Sequence, residues 1–122
     1  MIRLVSILLF MAALGMAAPA RSAEAPFEPS LMRLSEVLGS LHYLSNLCEQ
    51  PGTQWRDLMD RLITAEAPDE TRKAQFVANF NRGYRSFDSV YSTCTQSAAA
   101  ALRRYRNEGA ELAGQTAARF GN

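Results

Sequence analysis

Two cysteines, Cys48 and Cys94, one histidine, His42, and a scatter of carboxylates are the residues of this chain that could do chemistry. A thiol nucleophile needs a base, and His42 is the one histidine present. On a helix it lies about 120° around from Cys48 and about two turns away, so the two cannot meet within that helix. One histidine and two cysteines do not make a zinc site without several carboxylates. Cys-x-x-Cys-His is absent, which excludes c-type haem. A glycine-rich phosphate loop, Gly-x-Ser-x-Gly and His-Glu-x-x-His are absent as well. No cofactor and no metal are expected, and no catalytic residue is assigned.

Carboxylates come in neighbouring pairs: Asp57 with Asp60, Asp69 with Glu70, Glu108 with Glu111. A glycosidase needs two of them facing each other across a cleft, whereas pairs on amphipathic helices with arginine neighbours read as solvated charge. Arg82 and Arg85, three apart, could grip a carboxylate or phosphate, or simply be exposed helix charge. Tyr43 and Leu47, four apart, stand opposite the apolar face of their helix. They are either covered by a neighbouring loop or offered to a partner or a second copy. Trp55 is a lid on the core, with a stacking surface for sugars as its functional alternative.

Helices must position all of these. Leu31, Leu34, Val37, Leu38, Leu41, Leu44 and Cys48 share one face of a helix of about 18 residues that Ser30 would cap and Pro51-Gly52 would end. Thr53 is the next capping candidate; Trp55, Leu58, Met59, Leu62 and Ile63 then follow the i, i+3, i+4, i+7, i+8 pattern up to Ala67-Pro68. Asp69 caps a third helix in which Phe76, Phe80, Tyr84, Phe87, Tyr91 and Cys94 fall within a sector roughly 80° wide. That face is expected to be buried, with Gly83, Arg82 and Arg85 outside it. The count continues through Ala98, Leu102, Tyr105, Leu112 and Phe120, but one unbroken rod would be about 75 Å long, so a break is expected. Ser92–Ser97 is the first candidate, with Thr95 or Ser97 as the new cap, and Asn107-Glu108-Gly109 is the second. No period-two segment reads as a strand. The expectation is all-α: a small disulfide-stapled up-down bundle of three to four helices, one domain over residues 30–122.

In an up-down-up arrangement the first and third helices end at the same pole, and Cys48 and Cys94 sit at those ends. A disulfide closing about 47 residues would contribute roughly 4 kcal/mol in the chain-entropy model; free thiols or an intermolecular bridge are the alternatives. The N-terminus sets the compartment. Met1-Ile2-Arg3, an apolar run from Leu4 to Met16 and small residues at Ala17-Ala18-Pro19-Ala20 read as a cleaved signal peptide over residues 1–20. Residues 21–29, with Pro26 and Pro29, read as a flexible leader. Loss of Arg3 brings the 13 basic residues level with the 12 acidic ones, which argues against a nucleic-acid partner.

The segments Leu38-Gly39-Ser40-Leu41-His42-Tyr43-Leu44-Ser45-Asn46-Leu47-Cys48, Trp55-Arg56-x-x-Met59, Phe80-Asn81-Arg82-Gly83-Tyr84-Arg85-Ser86-Phe87 and Tyr91-Ser92-Thr93-Cys94-Thr95 resemble a family of small secreted alphaproteobacterial proteins classed as a domain of unknown function. The resemblance spans roughly residues 31–112. It implies a Gram-negative periplasm and supports pairing of Cys48 with Cys94, and it carries over no catalytic residue. Taken with the residues, the functional expectation is a non-catalytic periplasmic interaction or scaffold module of the cell envelope. Tyr43, Leu47, Arg82 and Arg85 are its candidate surface, an envelope protein or cell-wall assembly its partner, and a homodimer is an open possibility. The alternatives are a binder of a small ligand or glycan such as a peptidoglycan fragment, and a cell-wall hydrolase or its inhibitor.

Overall fold

The structure is a computed structural model that describes residues 28–120. The expected signal peptide, residues 21–27 of the leader and the last two residues lie outside the described residues. Four helices follow one another: α1 (Glu28–Cys48), α2 (Gln54–Glu66), α3 (Glu70–Asp88) and α4 (Gln96–Phe120). Helix α1 begins two residues before Ser30, because Pro29 is tolerated in a first turn where its missing N–H has no partner to lose. Thr53 stands at the N-cap of α2 as expected, but its hydroxyl donates to Asp57 Oδ2 at 3.0 Å rather than accepting a backbone N–H. Asp69 does cap α3, accepting the Arg72 backbone N–H at 2.7 Å.

The chain breaks where hydroxyl residues crowd between Ser89 and Thr95, and Thr95 restarts it by accepting the Ala98 N–H at 3.1 Å. The Asn107-Glu108-Gly109 segment stays helical inside α4, since Gly109 is buried against Val37 and Leu41 and packing there outweighs its low propensity.

Helix α1 is the hub. The other three all pack on it, and α2 and α3 touch each other only slightly. It is accordingly buried on more than its leucine face. Leu31, Leu34, Val37, Leu38, Leu41 and Leu44 form one side, while Ser35 and Ser40 are also sealed. Their hydroxyls are satisfied by backbone carbonyls: Ser35 donates to Leu31 O at 2.9 Å, Ser40 to Glu36 O at 3.2 Å and to Gly83 O at 3.1 Å.

The α1–α3 contact corrects the reading of the aromatic stripe. Of its rings only Phe76 is fully buried; Phe80, Tyr84, Phe87 and Tyr91 are half-buried and Cys94 is exposed. The centre of the contact is Gly83, which is buried. A Cβ there would stand 1.8 Å from Glu36 O, and one on Gly39 would stand 1.9 Å from Phe80 O. Two backbones touch at this crossing, and the rings flank it rather than fill it. Gly83 lies on the same face as Phe80 and Phe87, at i+3 and i−4, not outside it.

Helix α4 is tied to α1 by a bidentate ion pair. Arg33 donates Nε–H to Glu108 Oε2 at 2.5 Å and Nη2–H to Oε1 at 2.8 Å, with its guanidinium over the Tyr105 ring. At the opposite pole Cys48 and Cys94 form a disulfide with Cα atoms 5.0 Å apart. Among the described residues no helix is long and apolar enough to cross a membrane.

Candidate functional site

Helix α2 rests on α1, its backbone near α3 at few points and further from that of α4. A short amphipathic helix on one support leaves a groove along each flank. On the α4 side is a trough of about 410 Å³ walled by Leu34, Leu38 and Leu41 of α1, Trp55, Leu58 and Leu62 of α2, and Ala110 and Ala113 of α4, with Arg61 and Arg106 also lining it. On the α3 side is a cleft of about 400 Å³ lined by His42, Arg56, Met59, Asp60, Ile63, Val77, Phe80, Asn81 and Tyr84. The first is apolar with basic residues; the second mixes both charges with aromatic walls.

Trp55 joins the two cores of the molecule, packing against the Leu44–Leu102 cluster and against the Leu34–Phe76 cluster. It is half-buried, and its indole N–H is shielded from water with no acceptor among the described residues. Leu58, one turn on, is 38% exposed, so its side chain is open to the trough. Arg61 has no ion-pair partner among the described residues, whereas Arg106 is bonded to Glu49.

The surface residues named from sequence fall in different settings. Tyr43 and Leu47 are half-buried against the core. The Tyr43 ring meets Tyr84 edge-on at 5.2 Å, and its hydroxyl donates to the Tyr91 backbone carbonyl. The end of α3 and the loop after it therefore supply the cover of Tyr43, while Leu47 packs against the Leu44–Leu102 cluster. Arg82 and Arg85 are exposed on α3 and have no ion-pair partner among the described residues. Their helical positions are turned well away from the Gly83 contact. Tyr43 and Leu47 therefore belong to the packed pole near the disulfide, and the arginines to solvent.

The carboxylates are distributed. Glu108 is engaged by Arg33, whose bidentate hydrogen bonds hold its carboxyl below the usual carboxylate range. Asp57 accepts from Thr53, and Asp60 lines the α2–α3 cleft as its single carboxylate. Among the described residues no three His, Cys, Asp or Glu side chains gather as a metal site would require.

His42 sits between the Phe80 and Tyr84 rings, its centroid 5.9 and 5.8 Å from theirs. Burial, and then the Arg56 charge, push its pKa below the ordinary 6.5. The unfolded chain thus takes up this proton at higher pH than the folded one. Stability should be unaffected above about pH 7.5 and should decline as pH falls through 6.5 toward 5. Glu49 and Glu108, both lowered from 4.5, act below that window. Urea melts at pH 7.5, 6.5 and 5.5 check this: His42→Gln should flatten the decline. An equal decline in that variant would place its origin elsewhere.

These features define a disulfide-bonded all-α protein whose four helices are built around the first, with two open grooves flanking the second. The chain belongs to the family described as "Protein of unknown function (DUF2385)", whose model matches residues 26–120. Neither the curated proteins nor the solved structures give a match. The two grooves are not legible in the sequence, since Arg56, Asn81 and Ala113 carry no signal until α2, α3 and α4 are placed. The exposure of Leu58 is hidden too, since in sequence it looks like an ordinary core position.

Proposed function

We propose that the protein is a non-catalytic interaction module of the cell envelope, working in the periplasm after cleavage of residues 1–20. It would grip a partner protein along the α2–α4 trough. The apolar trough carries this reading: Trp55 and Leu58 of α2 stand with leucines of α1 and alanines of α4 around an open groove, and Leu58 is 38% exposed. Its volume suits about three apolar anchors at i, i+3 or i+4 and i+7 of a docked amphipathic helix. Arg61, without an ion-pair partner among the described residues, selects a segment with a carboxylate beside its apolar stripe, whereas Arg106 is already bonded to Glu49. The Cys48–Cys94 bond supports an oxidising compartment, in line with the N-terminal basic-apolar-small pattern.

Leu58→Glu places a carboxylate in the wall and repels acidic flanks. Recovery of a crosslinked envelope partner from cells should fall about tenfold or more, while Val90→Glu, at a position 65% exposed outside the trough, should leave it unchanged. Equal recovery with both variants would overturn the proposal, and so would self-association of the purified chain through the same wall.

A further inference from the structure

We infer that the α2–α3 cleft is a binding site for a short peptide with a free amino and a free carboxyl end, of dipeptide size. It lies on the opposite flank of α2 from the trough, and the inference is independent of the partner reading above.

Two charged side chains of opposite sign line this cleft, Arg56 and Asp60. They are one turn apart on α2, yet they form no ion pair, and neither has one elsewhere among the described residues. Arginine preceding aspartate by four is the poorer orientation for pairing on a helix, which leaves both free to meet a ligand. Facing them from α3 are Asn81 and Tyr84, whose side-chain amide and hydroxyl have no hydrogen-bond partner among the described residues. Met59, Ile63 and Phe80 supply the apolar surface. The His42 ring, tilted 38° to both Phe80 and Tyr84, closes the α1 side.

A purely anionic ligand drawn to Arg56 would sit beside Asp60 and be repelled; a cation at Asp60 would meet Arg56. A zwitterion satisfies both. Spacing then selects its length. Four residues of helix rise about 6 Å, and an extended dipeptide, with Cα atoms about 3.8 Å apart, holds its terminal groups at a similar separation. The carboxylate would take the Arg56 guanidinium, the ammonium the Asp60 carboxylate, the peptide group the Asn81 amide, and an apolar or aromatic side chain the Phe80–Ile63 surface. A cleft of about 400 Å³ is large enough for such a ligand.

The probe is alanyl-phenylalanine with free ends, titrated into the disulfide-intact protein by calorimetry and by amide-shift perturbation at Phe80 and Asn81. N-acetylation, which removes the ammonium, and C-amidation, which removes the carboxylate, should each weaken binding by about tenfold or more. Asp60→Asn should weaken the free dipeptide equally but leave the N-acetyl form unchanged, and Arg56→Gln should do the same for the amide. Both positions are exposed, so an unchanged melting temperature shows that the fold is intact. Absence of binding at about 10 mM, or equal affinity for free and blocked peptides, would overturn the inference. Preference for a neutral sugar over all three peptides would do so too.

Discussion

Gly83→Ala should cost the domain about 3 kcal/mol or more, although alanine is the better helix former by up to about 1 kcal/mol. The new methyl would stand 1.8 Å from Glu36 O and 2.8 Å from its carbonyl carbon, with Ser40 Oγ at 2.9 Å. Backbone cannot step aside as a flexible side chain can, so α1 and α3 would have to separate. Separation would break the Ser40–Gly83 hydrogen bond at 3.1 Å and loosen Phe76, which is fully buried. Gly39→Ala meets Phe80 O at 1.9 Å across the same crossing and should behave alike. The double variant should cost less than the two together, because the first parting of the helices already makes room for the second methyl. Gly114 supplies the control. Nothing lies within 4 Å of a Cβ there, so Gly114→Ala should stabilise by about 0.5–1 kcal/mol. Denaturant melts of the four variants test the sign reversal directly, and equal effects at Gly83 and Gly114 would refute the crossing.

Loss of the Cys48–Cys94 bond should rank beside it. The bond closes a sequence separation of 46 residues, and releasing that loop in the unfolded chain is worth about 4 kcal/mol in the entropy model. Total stabilities of small domains run about 5–15 kcal/mol, so much of the margin would go. A domain of this size shifts its Tm by about 4–8 °C per kcal/mol. The Cys48→Ser/Cys94→Ser chain should therefore melt about 15–30 °C lower than the oxidised protein, and reductant should bring the wild type to the same point. A shift of only a few degrees would mean that the unfolded loop is held by other contacts. Aromatic neighbours at this pole, with Tyr43 bonded to Tyr91 and Phe87 stacked near it, should melt early in the variant.

Much of this architecture is legible from residue patterns, and the exceptions have one cause. Leucine spacing locates α1, Asp69 and Thr95 cap the helices after their breaks, and the positions of Cys48 and Cys94 imply shared poles. The second face of α1 escapes an apolar count because it is made of small residues. Gly39 and Ser40 admit another backbone where a leucine stripe admits side chains. Gly83 escapes for the same reason: among ringed positions a glycine carries no apolar signal, although the two backbones meet there. The grooves are a further step removed. They exist because α2 leans on α1 with little support on either side, a property of relative placement to which Arg56, Leu58 and Asp60 give no local clue. Tyr43 illustrates the converse: opposite one apolar stripe, it is covered once α3 occupies the other.

On the two proposals, the grooves would give α2 two different neighbours, a partner helix on one flank and a small peptide on the other. Trp55, Leu58 and Leu62 turn toward the first and Arg56 and Asp60 toward the second. Because α2 has no other firm contact than α1, its seating is the part of the fold most open to influence from either occupant.

The central claim is that the trough holds a partner. The direct measurement is in-cell crosslinking with a photoactivatable residue in place of Leu58, compared with the same residue in place of Arg104, exposed on α4 away from the trough. The expected result is an adduct with one envelope protein from position 58, mapped by mass spectrometry to an amphipathic segment with acidic flanks, and none from position 104. Adducts in equal yield from both positions, or from neither in cells holding the protein at its native level, would contradict it.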